Sequence, residues 1–185
     1  MALRTIIFSD NPLLRKRSSR VPHITPDIRQ LVEDMLETMR AANGVGLAAV
    51  QVGVPLRVIV VEIPEDLDDP DAGTSLALVN PELARVSKET EEGVEGCLSV
   101  PGWVGNVLRH QEVTVKGIDL KGRKVRFRAK GYLARVLQHE IDHLNGVLFI
   151  DRTDEIWPVE EGEEEMVEAE AAALRGAGGT GGLLE

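Results

Sequence analysis

Gln138-His139-Glu140-Ile141-Asp142-His143-Leu144 is the stretch on which the reading of the chain turns. It lies inside Gly131 to Asn145, which is helical by length and composition and carries apolar residues on several sides: Leu133, Ala134, Val136, Leu137, Ile141 and Leu144. A helix apolar most of the way round is buried. Histidines at i and i+4 differ by about 40° in azimuth on a helix that advances roughly 100° per residue, so both imidazoles reach one ion. Glu140 then lies beside that ion, suited to take a proton from a water held there, as in H-E-x-x-H metallohydrolases. Two imidazoles, Glu140 and Asp142 buried without partners would cost several kcal/mol, so the pattern requires a compensating ion or network. His23 and His110 stand alone and carry no such argument.

The third ligand decides the kind of enzyme. A metzincin places a histidine six residues beyond the second, and that position is Phe149. A thermolysin-like site takes a glutamate about twenty residues downstream; Glu163 stands there, in a repetitive acidic run after Pro158. Cys97, the sole thiol, is the more attractive candidate, since a thiolate binds transition ions strongly.

Working outward, Thr25-Pro26-Asp27 predicts a helix start with a capping hydroxyl, proline in the first turn and a carboxylate at the positive end of the dipole. Ile28, Leu31, Val32, Met35, Leu36 and Met39 continue it at helical spacing, and Asn43-Gly44 stops it. Gly44 to Gln51 has the small residues that close backbone approach requires. Arg57 to Ile63 and Leu76 to Val79 read as strands, separated by an acidic loop from Pro64 to Ser75. Glu89 to Ser99 reads as irregular backbone at a strand end, whereas Val113 to Leu120 and Lys124 to Lys130 read as strands joined by a hairpin. Val147 to Ile150 is a brief strand or turn covering the helix.

The 185 residues suffice for one domain with a real core. One cysteine makes no intrachain disulfide, Met1 to Phe8 is too short for a signal peptide, and no run approaches the roughly 20 apolar residues of a membrane span. The expectation is a cytoplasmic protein without membrane contact. The net charge of −10 is unevenly placed: residues 1–153 hold 21 acidic against 20 basic side chains, residues 154–185 hold 10 against one. That division predicts a catalytic body over 1–153 and an acidic, Gly-rich tail over 154–185. The tail's Glu160 to Arg175 can form a solvated helix, and its last ten residues or so are expected to be disordered. A near-neutral body carries no sign of a general or sequence-specific nucleic-acid binder; Arg123 to Lys130 alternates basic and apolar residues and reads as a half-buried strand with a solvated basic face, a transient ribosome contact being the lesser alternative.

Three stretches, Gly44-Val45-Gly46-Leu47-Ala48-Ala49-Val50-Gln51, Glu95-Gly96-Cys97-Leu98-Ser99 and Gln138-His139-Glu140-Ile141-Asp142-His143, resemble the three signature motifs of peptide deformylases, in the family's order. The resemblance runs from about Arg4 to Asp151. It implies an α+β single domain in which antiparallel or mixed β-sheets surround a central metal-binding helix, with a further N-terminal helix. It implies that Cys97, His139 and His143 bind a ferrous ion with water in the fourth position, and zinc, nickel or cobalt can substitute by ligand type. Glu140 would be general base and then proton donor; the Gln51 amide and the Leu98 backbone N–H would hold the oxyanion. Val45 and Gly46 would line the groove in which the peptide lies extended as an added strand. Glu95 and Arg109 would form a pair that orients the Cys97 loop. Tyr132, where a related enzyme would have another apolar residue, would give the methionine pocket a different shape. The implied reaction is removal of the formyl group from N-formylmethionyl nascent peptides. A zinc endopeptidase using Glu163, and a non-catalytic metal-binding or ribosome-associated module, are the competing readings.

Overall fold

The computed structural model describes residues 2–67 and 69–160. Two helices and eight strands make an α+β domain. They run α1 (Pro26–Ala41), β1 (Gly46–Ala48), β2 (Val58–Glu62), β3 (Ser75–Val86), β4 (Thr90–Gly96), β5 (Trp103–His110), β6 (Glu112–Ile118), β7 (Lys124–Lys130), α2 (Gly131–Leu144) and β8 (Ile156–Pro158). One sheet is ordered β1-β2-β3-β6-β7 and the other β4-β5-β8, and every pairing within them is antiparallel.

Strand β2 shows why the larger sheet sits where it does. Its residues alternate between two apolar faces: Val58 and Val60 pack with α1 residues such as Leu31, Met35 and Met39, while Ile59 and Val61 pack with Leu133, Leu137 and Ile141 of α2. A strand covered on both sides reads as a continuous β-branched run, which is what the sequence carries there. Helix α1 begins as its residues dictate, with Thr25 Oγ1 accepting from the Ile28 N–H, Pro26 in the first turn, and Asn43 at φ +53 after its end. Helix α2 follows β7 without a loop. Gly131, at φ +55, makes that turn, and 11 of the helix's 14 residues are buried.

Three segments differ from the sequence reading. Leu76 to Val79 is the start of a longer strand that carries Pro81 through a register shift. Glu89 to Ser99 is regular over most of its length, since β4 pairs with β5 from Thr90 opposite His110 to Gly96 opposite Val104, and the irregular backbone at the strand end is confined there to Cys97 to Ser99. Val147 to Ile150 leads into a short 3₁₀ turn at Phe149–Asp151. Beyond residue 153, β8 pairs with β5. The helix and disorder expected for the acidic tail fall almost wholly on residues outside those described.

Candidate metal centre

Helix α2 presents His139 and His143 on one side, one turn apart, with their Nε2 atoms 3.2 Å from each other. Cys97 comes from the turn after β4, and its Sγ lies 3.3 Å from His143 Nε2. One donor atom from each residue falls within 4.8 Å of the others. Two imidazole nitrogens and a sulfur facing one point are poor hydrogen-bond partners for one another and a good donor set for a transition ion.

The surrounding charges set this geometry. Glu95, on β4, is buried and accepts two bonds from Arg109, Nε to Oε1 at 2.7 Å and Nη2 to Oε2 at 2.8 Å. Arg135 Nη1 adds a third at 3.0 Å, and His139 Nδ1 donates to Oε2 at 2.9 Å. In the neutral ring that last bond fixes the tautomer, leaving the lone pair of His139 Nε2 directed at Cys97 and His143. Burial alone would raise the Glu95 pKa, but Arg109 and His139 hold it well below the usual carboxylate range. Asp142 continues the network, accepting from Arg109 Nη1 at 2.6 Å and from Arg152 through two bonds of 2.5 Å. Burial opposes protonation of both histidines; Cys97 and Glu95 overcome it at His139, while His139 depresses His143 further.

Glu140 lies on the same helix, buried, with its pKa pushed up to about 7, chiefly by that burial. Its Oε2 has no hydrogen-bond partner among the described residues. Gln51 approaches from the opposite wall. The Ala48 N–H donates to its Oε1 at 2.8 Å, so its NH₂ points inward, 3.1 Å from Ser99 Oγ and 3.6 Å from Cys97 Sγ.

A cavity of about 570 Å³ opens over these groups, lined by Val45, Gly46, Gln51, Glu95, Cys97, Leu98, Tyr132, His139 and Glu140 among others. His143 lies deeper than the lining, and Arg109 lies behind Glu95. All ten candidate residues, nine from the motifs and Arg109 from outside them, therefore fall in one region, whereas His23 is exposed and the His110 ring bonds Ser87. Glu163 lies outside the described residues. Sequence reasoning missed Arg135, Ser99 and the cavity wall formed by Leu3 to Ile6. Arg135 carried a readable signal, an arginine one turn before His139 on a helix expected to be buried; the wall carried none.

Residues 3–158 match the family model for polypeptide deformylase. A peptide deformylase of Thermomicrobium roseum is 50% identical over 173 residues, covering 91% of this chain and 98% of that protein. The crystal structure of a peptide deformylase from Thermotoga maritima is similar at TM-score 0.77 and 38% identity, over 83% of this chain and 99% of that one. A Met-Ala-Ser-bound peptide deformylase from Acinetobacter baumannii is similar at TM-score 0.77 and 38% identity, over 83% of this chain and 99% of that one.

Proposed function

The chain belongs to the peptide deformylase family, metal-dependent hydrolases that remove the N-formyl group from nascent peptides, and we propose the following division of that work among its residues. Cys97, His139 and His143 hold the catalytic ion, and a thiolate with two imidazoles suits ferrous iron, with zinc, nickel or cobalt as substitutes. When bound, such an ion supplies Lewis-acid polarisation of the formyl oxygen and a nucleophilic water at neutral pH.

Glu140 accepts the proton of the attacking water at its free Oε2 and returns it to the leaving amine. The Gln51 Nε2 and the Leu98 N–H stabilise the negative oxygen as the formyl carbon becomes tetrahedral. Gln51 is ready for that task, because Ala48 and Ser99 fix both ends of its amide before substrate arrives. The peptide lies along Val45 and Gly46. Among the described residues strand β1 ends its sheet with one edge unpaired, which is the surface an added strand uses. Glu95 and Arg109 hold His139 in the binding tautomer and tie the Cys97 turn to α2.

The substrate is an N-formylmethionyl nascent peptide, met in the cytoplasm. No helix among the described residues is long and apolar enough to cross a membrane. The exposed row Lys124, Arg126, Arg128 and Lys130 on β7 supports a transient contact with the ribosome.

The observation that carries the reading is the convergence of Gln51 Nε2 and the buried Glu140 on the Cys97-His139-His143 cluster. Anaerobic, iron-loaded protein should release formate from a formyl-methionyl peptide, and the Glu140→Gln variant should keep its ion and lose most turnover, roughly 10²- to 10⁴-fold. Full activity in that variant would sink the assignment of the base.

A further inference from the structure

Residues Ala2 to Phe8 belong to no helix or strand, yet Leu3, Arg4, Thr5, Ile6 and Phe8 form one wall of the catalytic cavity. This arm is fastened at both ends. At its start the Ala2 N–H donates to Asp34 Oδ1 at 3.0 Å, and the Arg4 guanidinium donates to Asp34 Oδ2 from Nε at 3.1 Å and Nη2 at 2.9 Å. The Arg4 N–H donates to Thr38 Oγ1 at 2.9 Å. At its other end the Ile7 N–H donates to the Gln51 carbonyl and the Ser9 N–H to the Ser99 carbonyl, both at 2.8 Å.

Those two acceptors flank the oxyanion donors. Gln51 supplies the amide, and Ser99 follows Leu98 and accepts the Gln51 NH₂ through its hydroxyl. The arm is thus a strap between α1 and the two segments on which the proposed mechanism relies. Asp34 is a carboxylate only 5% exposed, and a buried carboxylate is costly unless hydrogen-bonded. Apart from Gln30 on its own helix, at 2.9 Å, its side-chain partners among the described residues belong to the arm. Seating the arm is what satisfies Asp34, and satisfying Asp34 is what seats the arm.

We infer that Asp34 is a positioning residue for deformylation: it clamps Ala2 and Arg4, and the arm so held fixes the backbone of Gln51 and Ser99 and thereby the oxyanion donors. The inference rests on the reading of Gln51 and Leu98 given above. Catalytic groups need placement within about 0.5 Å. Removing one oxyanion donor costs roughly 10²- to 10³-fold in kcat, and loosening both without removing either should cost less, about tenfold.

The test uses the metal-loaded full chain with Asp34→Asn, Asp34→Ala and the double variant Arg4→Met/Thr38→Val. Three quantities are read: hydrogen exchange at the Ile7 and Ser9 amides, kcat and KM on a formyl-methionyl tripeptide, and bound metal per chain. The expected result is faster exchange at both amides, kcat lowered about tenfold, KM within about twofold and metal unchanged. Asp34→Asn, which keeps an oxygen for the Ala2 N–H, should fall between wild type and Asp34→Ala. Unchanged kcat despite fast exchange overturns the inference, as does a loss of kcat that merely follows the unfolded fraction. Should Asp34→Ala fail to fold, the double variant, which leaves the carboxylate in place, decides on the same readouts. Gln51→Leu run alongside separates the two readings. If it keeps its kcat, the oxyanion assignment fails and the clamp has nothing to position. If it loses kcat while loosened-arm variants keep theirs, only the clamp fails.

Discussion

Gly46 leaves the space that the Glu140 carboxylate occupies: a Cβ on Gly46 would stand 2.8 Å from Glu140 Cδ and 2.9 Å from its Cγ. Carbon atoms do not pack that closely. The first small residue of β1 is therefore paired with the proposed base of α2, and the glycine is required by contact, not by its backbone angle. Gly46→Ala should push Glu140 from its position while leaving Cys97, His139 and His143 untouched. The expected outcome is full metal content with kcat lowered about 10- to 100-fold, less than the roughly 10²- to 10⁴-fold that loss of the general base itself costs. Steady-state kinetics paired with metal analysis checks it, and wild-type kcat in Gly46→Ala would refute the contact as a constraint.

Glu95 carries a second prediction. It receives Arg109, Arg135 and His139 in a region where all four side chains are nearly or fully buried. Removing the carboxylate takes away the partner the two guanidinium groups share, leaving Arg109 with Asp142 and Arg135 with backbone carbonyls, and breaking a buried pair costs up to about 3–5 kcal/mol. Glu95→Ala should lower stability by that order in denaturant unfolding. It should also weaken metal binding about 10- to 100-fold, because the His139 ring loses the acceptor that fixes its tautomer. Glu95→Gln keeps an acceptor for His139 and should retain more of the metal affinity than of the stability. Competition against a chelator distinguishes the two variants.

The legible part of this molecule is the part built on local spacing. His139, Glu140 and His143 follow from one helical turn, and β2 and α1 from strand and helix periodicity, so each can be found without knowing its neighbours. Cys97 and Gln51 are 46 residues apart in sequence and 3.6 Å apart in space, and only the resemblance of their motifs joins them to the helix. Strand β4 escapes a reading by propensity because Glu89 to Gly96 holds four glutamates and two glycines, a composition assigned to loops. Its strand state comes from pairing with β5 and from Glu95 pointing inward to Arg109. The arm at Ala2 to Ser9 is illegible for a related reason. It has no periodicity, and its position depends on single bonds to Asp34, Thr38, Gln51 and Ser99.

The Asp34 clamp makes the arm sensitive to acid. The Gln30 amide, then the Ala2 N–H and Arg4, outweigh burial and hold the Asp34 pKa below its ordinary value. A folded pKa below the unfolded one, which is near 3.9, means that the clamp contributes stability above that range and loses it as pH falls through the folded pKa. Protection of the Ile7 and Ser9 amides should therefore fall on acidification below about pH 4. In Asp34→Asn it should lie between wild type and Asp34→Ala at neutral pH and show no such step. A step of equal size in Asp34→Asn would assign the acid sensitivity to another carboxylate.

The basic row on β7 is separable from catalysis by position. Lys124, Arg126, Arg128 and Lys130 alternate along the outer strand of the larger sheet, at the opposite edge from β1. Successive cations on one strand face stand roughly 7 Å apart, so the row spans about 20 Å. Arg128 and Lys130 share Glu112, and Lys116 on the neighbouring strand shares Glu82 with Arg20. The sum over these side chains is six cations against two carboxylates, a surface that attracts a phosphate backbone without reading sequence. Lys124→Glu with Arg126→Glu should weaken co-sedimentation with ribosomes and lessen its dependence on salt by about 0.7–0.9 in log–log slope for each phosphate no longer neutralised. The same variant should turn over a free formyl-methionyl peptide at the wild-type rate. Unaltered ribosome binding at low salt would remove β7 from the contact and leave the row as a solvated face.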